Sequence, residues 1–185
     1  MFAVVTDGSI TSFPRGNKGI QIGDIKYPAS IYTLWTEVER NAIGIYTVEI
    51  NYTNKKDEEW YSNTNITYSF GGGKVTASYG TATAKAIDDD GDIKGLKTIK
   101  KAIIDDQCAG ILASSDWRVI REQETGNAMD SGWKTWRGNV RTKCNSMQTA
   151  IGNAANVDAL AALFAYTKQD DGSTTRPLGE FPIKE

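Results

Sequence analysis

What most constrains this chain is a change in the period of its apolar residues. Through about residue 87 they lie in short β-branched and aromatic stretches separated by turn residues. From about Gly95 they recur every three or four positions. The first pattern suits strands, whose side chains alternate between faces, and the second suits helices that bury one face. Strands first and helices after predicts an α+β fold. The expected organisation is a β-rich part at 1–87, an acidic linker at 88–94, and a helical module with an extended tail at 95–185.

Within the first part, Asp7-Gly8 separates Phe2-Ala3-Val4-Val5 from Ile10-Thr11-Ser12-Phe13. An Asp-Gly pair tolerates the positive φ angles of a tight hairpin turn, so this is read as a hairpin. Ile20, Ile22 and Ile25 suggest one short extended piece running to Tyr27-Pro28. A single short helix is expected next. Thr36 and Glu39 have capping-box spacing, Gly44 stands where a C-terminal cap belongs, and Leu34, Val38 and Ala42 would share a face. Residues 45–52 make the clearest strand. Ile66 to Phe70 and Lys74 to Tyr79 form a second hairpin about Gly71-Gly72-Gly73.

In the second part, Leu96, Ile99, Ile103 and Ile104 predict one helix, and a second starts after Ser115-Asp116 and stops at Gly126. The longest helix spans roughly 132–151. Its stripe of Trp133, Trp136, Val140, Cys144, Met147 and Ile151 is heptad-like. Asn156 caps a last helix carrying Val157, Leu160, Ala161 and Phe164, and these two helices are expected to form a hairpin with their stripes facing. Asp170-Asp171-Gly172 reads as a turn before the extended Thr174-Thr175-Arg176. The prolines of Arg176 to Pro182 keep the end extended.

Little in the residues points to catalysis. There is no histidine, which removes the base of Ser-His-Asp and Cys-His mechanisms and every His-ligated zinc site. Asp88, Asp90 and Asp92 alternate like the first ligands of a calcium loop, but Ile93 and Ile99 stand where Gly and Glu are required. Gly71-Gly72-Gly73-Lys74 lacks the first Gly and the Ser/Thr of a phosphate loop. Neither a metal nor a cofactor site is read. Cys108 and Cys144 are expected as free, buried thiols. The formal charge of −2 gives no broad attraction to nucleic acid or anionic membrane. With no leader-like start at residues 1–7, a soluble protein made in a cytoplasm is expected.

Candidate recognition residues are therefore aromatic and basic. Trp60 and Tyr61 follow the charged run 55–59 without core periodicity and are expected to be exposed, where they could meet a glycan or a protein. Lys134, Arg137 and Arg141 are spaced to share one face of the long helix and are expected to be solvated or to meet a partner protein. Trp133 and Trp136 are expected in the core.

The second half also carries short motifs: Ile111-Leu112-Ala113-Ser114-Ser115-Asp116-Trp117, then Arg121 and Thr125-Gly126, then Trp136-Arg137 and Arg141, and finally Phe181-Pro182. These resemble small tail proteins of tailed bacteriophages, including tail fibre assembly proteins. Tyr27-Pro28, Leu34-Trp35 and residues 43–46 resemble openings seen among the same proteins. Residues 128–132 depart from the family, which often has Ile-Pro there, and Phe181 stands where Trp is more usual. The resemblance implies a non-enzymatic tail component in the virion, made in the host bacterial cytoplasm. Its partner would be a tail or tail-fibre protein, or a second copy of itself, with no nucleic acid and no membrane. Within that reading Asp116 caps a helix, Trp117 anchors it, and Arg137 pairs with an acid on a neighbouring helix. Trp133, Trp136 and Phe181 are structural. The alternatives are a fibre-assembly chaperone and a glycan-binding adhesin using Trp60 and Tyr61.

Overall fold

The computed structural model describes residues 1–184 and is α+β, with strands in the first part and helices in the second. It divides into two compact units, Met1–Thr83 and Ala84–Glu185.

The first unit is built on a five-stranded sheet. β1 (Phe2–Thr6) and β2 (Ser9–Ser12) form the expected hairpin, with Asp7 and Gly8 both at positive φ. The piece around Ile20 to Tyr27 is two strands rather than one: β3 (Ile20–Ile22) and β4 (Ile25–Tyr27) turn back at Gly23. Two short helices follow instead of one, α1 (Ile31–Leu34) and α2 (Glu37–Ala42). The Thr36–Glu39 capping box is present: Glu39 N–H donates to Thr36 Oγ1, and Thr36 N–H donates to Glu39 at 2.7 Å. The Thr36 N–H first, and then the Thr36 hydroxyl, both donating to the Glu39 carboxylate, hold it below its usual range. The predicted apolar face is not used, because Leu34 and Val38 are exposed while Ile31 and Tyr32 are buried.

β5 (Ile45–Asn51) lies between β1, antiparallel, and β8 (Lys74–Tyr79), parallel. The chain reaches β8 through β6 (Tyr61–Ser62) and β7 (Ile66–Gly71). β7 and β8 (Lys74–Tyr79) are the second expected hairpin, and β9 (Thr83–Ala84) follows at the unit boundary. The strand order is β2-β1-β5-β8-β7, and the edge strands β2 and β7 approach one another, with Phe13 stacked on Tyr68 at 4.5 Å. Alternation then separates two cores. Ala3, Val48, Val75 and Ala77 lie on one face with Tyr46 and Phe70. Val4 and Ile45 lie on the other, covered by Ile31 and Tyr32 of α1.

The second unit begins with the acidic run. Residues 88–94 belong to it rather than linking two domains. Gly95 N–H donates to Asp89 at 2.8 Å, and the amides of Leu96 and Lys97 donate to the carbonyls of Ala86 and Ile87. Lys94 pairs with Asp89 and Lys97 with Asp88. Asp89 of the run and the two residues before it, Ala86 and Ile87, therefore satisfy amides at the start of α3 (Leu96–Ala113) that the helix itself leaves unbonded. Those bonds lower the Asp89 carboxyl, the Gly95 amide first and the Thr98 side chain second.

α4 (Asp116–Thr125), α5 (Ser131–Asn153) and α6 (Val157–Phe164) follow close to the expected limits. Asn156 caps α6 through Ala159 N–H, as its position suggested, and Asp130 caps α5. The packing differs from the simple hairpin. α5 lies along α3, and its packing against α6 is much slighter. The buried row of α3 is Leu96, Lys100, Ile104 and Cys108, one residue per turn, and Ile99 and Ile103 are exposed. On α5, Trp136, Val140, Cys144, Met147 and Ile151 are buried as expected, whereas Trp133 is only half-buried. The short strands β10 (Thr167–Lys168) and β11 (Thr174–Thr175) pair about the Asp170-Asp171-Gly172 turn. The tail then returns along α5. Leu178 is buried, its N–H bonds Leu163, and its carbonyl accepts from Lys143 at 2.9 Å.

Candidate functional site

The α3–α4 corner gathers most of the singled-out residues. α3 ends at Ala113, and the chain reverses through Ser114 and Ser115. Ser115 is fully buried, and both its N–H and its hydroxyl donate to the Leu112 carbonyl, at 3.0 and 2.9 Å. Arg137 of α5 reaches into the same corner. It donates to Leu112 O at 2.9 Å, to Ser115 Oγ, and to Asp116 Oδ1 at 2.6 Å. Arg137 thus pairs with an acid on a neighbouring helix, but it is buried and not on a solvated face. A planar guanidinium meets carbonyl, hydroxyl and carboxylate at once, which a lysine could not do.

Asp116 is spent on that ion pair. It is the first residue of α4, and neither it nor Ser115 makes a side-chain cap bond to the helix. Its negative charge still suits a helix N-terminus.

Trp117 does not anchor α4 in the core; it is 49% exposed. It belongs to a surface stack of cations and rings. The Arg121 guanidinium lies 5.3 Å from the Trp117 ring. Arg118 sits between two rings, 4.5 Å from Trp117 and 4.3 Å from Trp133. Lys184 approaches the Trp133 ring at 5.3 Å. Trp133 meets Trp136 edge to face at 5.5 Å. Trp136 Nε1 donates to the Pro182 carbonyl at 2.9 Å, tying in the tail. Beside these rings lies an open groove of about 370 Å³ lined by Ile111, Ser114, Phe181 and Ile183 among others. Phe181 is half-buried in it.

Arg118 is the member that the sequence reading missed. Its Nε is buried with no hydrogen-bond partner, and its guanidinium lies against both tryptophan rings. The available signal was Trp117-Arg118 followed by Arg121, which places cations beside and one turn beyond an aromatic ring. Lys134 and Arg141 are exposed on α5, as expected, and Arg137 is separated from them.

Trp60 and Tyr61 are a correction: both are buried. The charged run folds into a tight turn in which both of their amides bond the Asp57 carbonyl, and Asn63 bonds Lys56 in both directions. The charges stay in water while the rings turn inward, and Lys56 lies 4.1 Å over the Tyr61 ring.

Cys108 and Cys144 are both buried free thiols. Among the described residues no group of three or more His, Cys, Asp or Glu side chains is placed to hold a metal ion. Nor is any described helix long and apolar enough to cross a membrane. Compared with family models, with curated proteins and with solved structures, the chain finds no match in any of the three.

Proposed function

We propose that this chain is a non-enzymatic component of a bacteriophage tail, associated with a tail fibre and acting through protein–protein contacts. The observation that supports this reading is convergence. Ser115, Asp116, Trp117, Arg121, Trp136, Arg137 and Pro182, which carry the resemblance to phage tail proteins, are scattered over the second half of the sequence. They meet in one corner of the helical unit, through the Arg137–Asp116 pair, the Arg121–Trp117 stack and the Trp136–Pro182 bond.

The corner has an inner and an outer part with different roles. Arg137, Ser115 and Asp116 fix the angle between α3, α4 and α5. Trp117 faces outward as the centre of the docking surface, with the half-buried Arg118 and Trp133 packed beside it and Arg121 and Lys134 flanking. Tryptophan and arginine are the residues most enriched at the energetic centres of protein interfaces, where a rigid ring and a many-donor cation give contact area at low entropic cost. The adhesin reading named exposed aromatics such as Trp60 and Tyr61, and those two are buried.

Mass spectrometry of purified virions tests the proposal. The polypeptide is expected in mature particles, in fixed ratio to a fibre or tail protein. Its absence overturns the structural role. Absence combined with a higher yield of trimeric fibre on co-expression would instead establish the chaperone.

A further inference from the structure

We propose that Cys108 and Cys144 are a latent cross-link between α3 and α5, closed by a two-electron oxidant such as hydrogen peroxide. The inference stands on the helix pair alone and not on the tail reading.

The register of the two helices places the thiols. Near the start of α3, Lys101 approaches Gly152 near the end of α5. One turn on, Asp105 meets Cys144 at 3.7 Å and also Gln148. At the far end, the Leu112 carbonyl accepts from Arg137. Each step forward on α3 is thus a step back along α5, and Cys108 falls opposite the turn that contains Cys144. Both side chains lie in the buried rows of their helices, so they face one another across the interface.

Burial and the neighbouring Cys108 thiol push Cys144 up to about 11, with Asp105 adding to the rise. The thiolate is the attacking form, so little of it exists near neutral pH.

The chemistry balances within the pair and the oxidant. One thiolate attacks a peroxide oxygen, the O–O bond breaks, and a sulfenic acid and hydroxide result. The second sulfur attacks the sulfenic sulfur and displaces its oxygen as water. Two thiols lose two protons and two electrons, one S–S bond forms, and the peroxide leaves as two waters. The product is one covalent staple between two helices that are otherwise held by packing and hydrogen bonds.

Reduced full-length protein treated with peroxide, blocked with an alkylating agent in denaturant and digested without reductant gives the test. The expected product is a monomer lighter by two hydrogens, with no alkylatable thiol and with the Cys108 and Cys144 peptides joined. Its urea midpoint rises and returns when reductant is added. Two thiols still alkylatable, sulfinic acids in place of a bond, cross-links only between chains, or a lowered midpoint would each overturn the proposal.

Discussion

Replacing Arg137 by alanine tests the inner part of the corner. The side chain is buried and donates to Leu112 O, Ser115 Oγ and Asp116 Oδ1. Breaking a buried ion pair commonly costs about 3–5 kcal/mol, mainly because a charge is left buried without a partner. Here the charge left behind is Asp116, whose side chain is 53% exposed and is rehydrated. The Ser115 hydroxyl also keeps its own bond to Leu112 O, so neither neutral partner is stranded. What remains is the loss of charge-assisted bonds, about 1.5–3 kcal/mol each but not additive, and the gap left by the stem. We expect Arg137→Ala to cost about 2–4 kcal/mol, and Asp116→Asn, which removes only a half-exposed charge, within about 1 kcal/mol. Urea denaturation followed by tryptophan fluorescence, extrapolated to water, measures both. A cost for Arg137→Ala within about 0.5 kcal/mol, the surface range, would put Arg137 back on the solvated face read from its spacing. Equal costs for the two variants would mean that the carboxylate, and not the carbonyl and hydroxyl, holds the guanidinium.

Trp136→Ala should cost about 3–5 kcal/mol and raise the hydrogen exchange of residues 178–184, because it removes both a buried ring and the bond to Pro182; Arg141→Ala should stay within about 0.5 kcal/mol. Gly95→Ala should destabilise the helical unit by about 1–3 kcal/mol in thermal denaturation. The reason is steric and not conformational, since the added Cβ would overlap the Asp88 carbonyl and meet Ile87 O at 2.7 Å. The Cys144 thiol is raised to about 11 in the folded chain. As pH climbs from the ordinary thiol range to that value, the unfolded chain loses this proton first, and stability falls. Wild type minus Cys144→Ala, measured from pH 8 to 11 in reductant, should isolate a loss on the order of 2 kcal/mol; a difference flat with pH would refute it.

The sequence made the fold legible wherever a local rule also governed the tertiary structure. Asp7-Gly8 and Gly72-Gly73 sit at the positive φ angles their hairpins require. The Thr36–Glu39 box and Asn156 cap the helices they were assigned to. What was not legible depended on which neighbour arrived. Leu34 and Val38 have helical spacing yet lie exposed, because α1 and not α2 covers the sheet through Ile31 and Tyr32. On α3 a lysine, Lys100, takes a buried place beside the Phe164 ring at 5.1 Å, and Ile99 is left in water. Spacing cannot rank a long amphipathic stem against an isoleucine. The site divides in the same way. The pairing of Arg137 with an acid followed from residue type, but its burial depended on the Leu112 carbonyl and the Ser115 hydroxyl, which no charge pattern announces. Trp60 and Tyr61 follow a charged run, and only the turn at Asp57 sends their rings inward.

The outer face of this corner is the proposed docking surface for a tail or tail-fibre protein. Lysine-directed cross-linking of purified virions, read by mass spectrometry, tests it most directly, because Lys134 lies exposed on α5 one residue beyond Trp133 and Lys184 approaches that ring at 5.3 Å. Cross-links from Lys134 and Lys184 to a fibre or tail polypeptide are expected. Cross-links to other tail proteins only from lysines of residues 1–83 would contradict it.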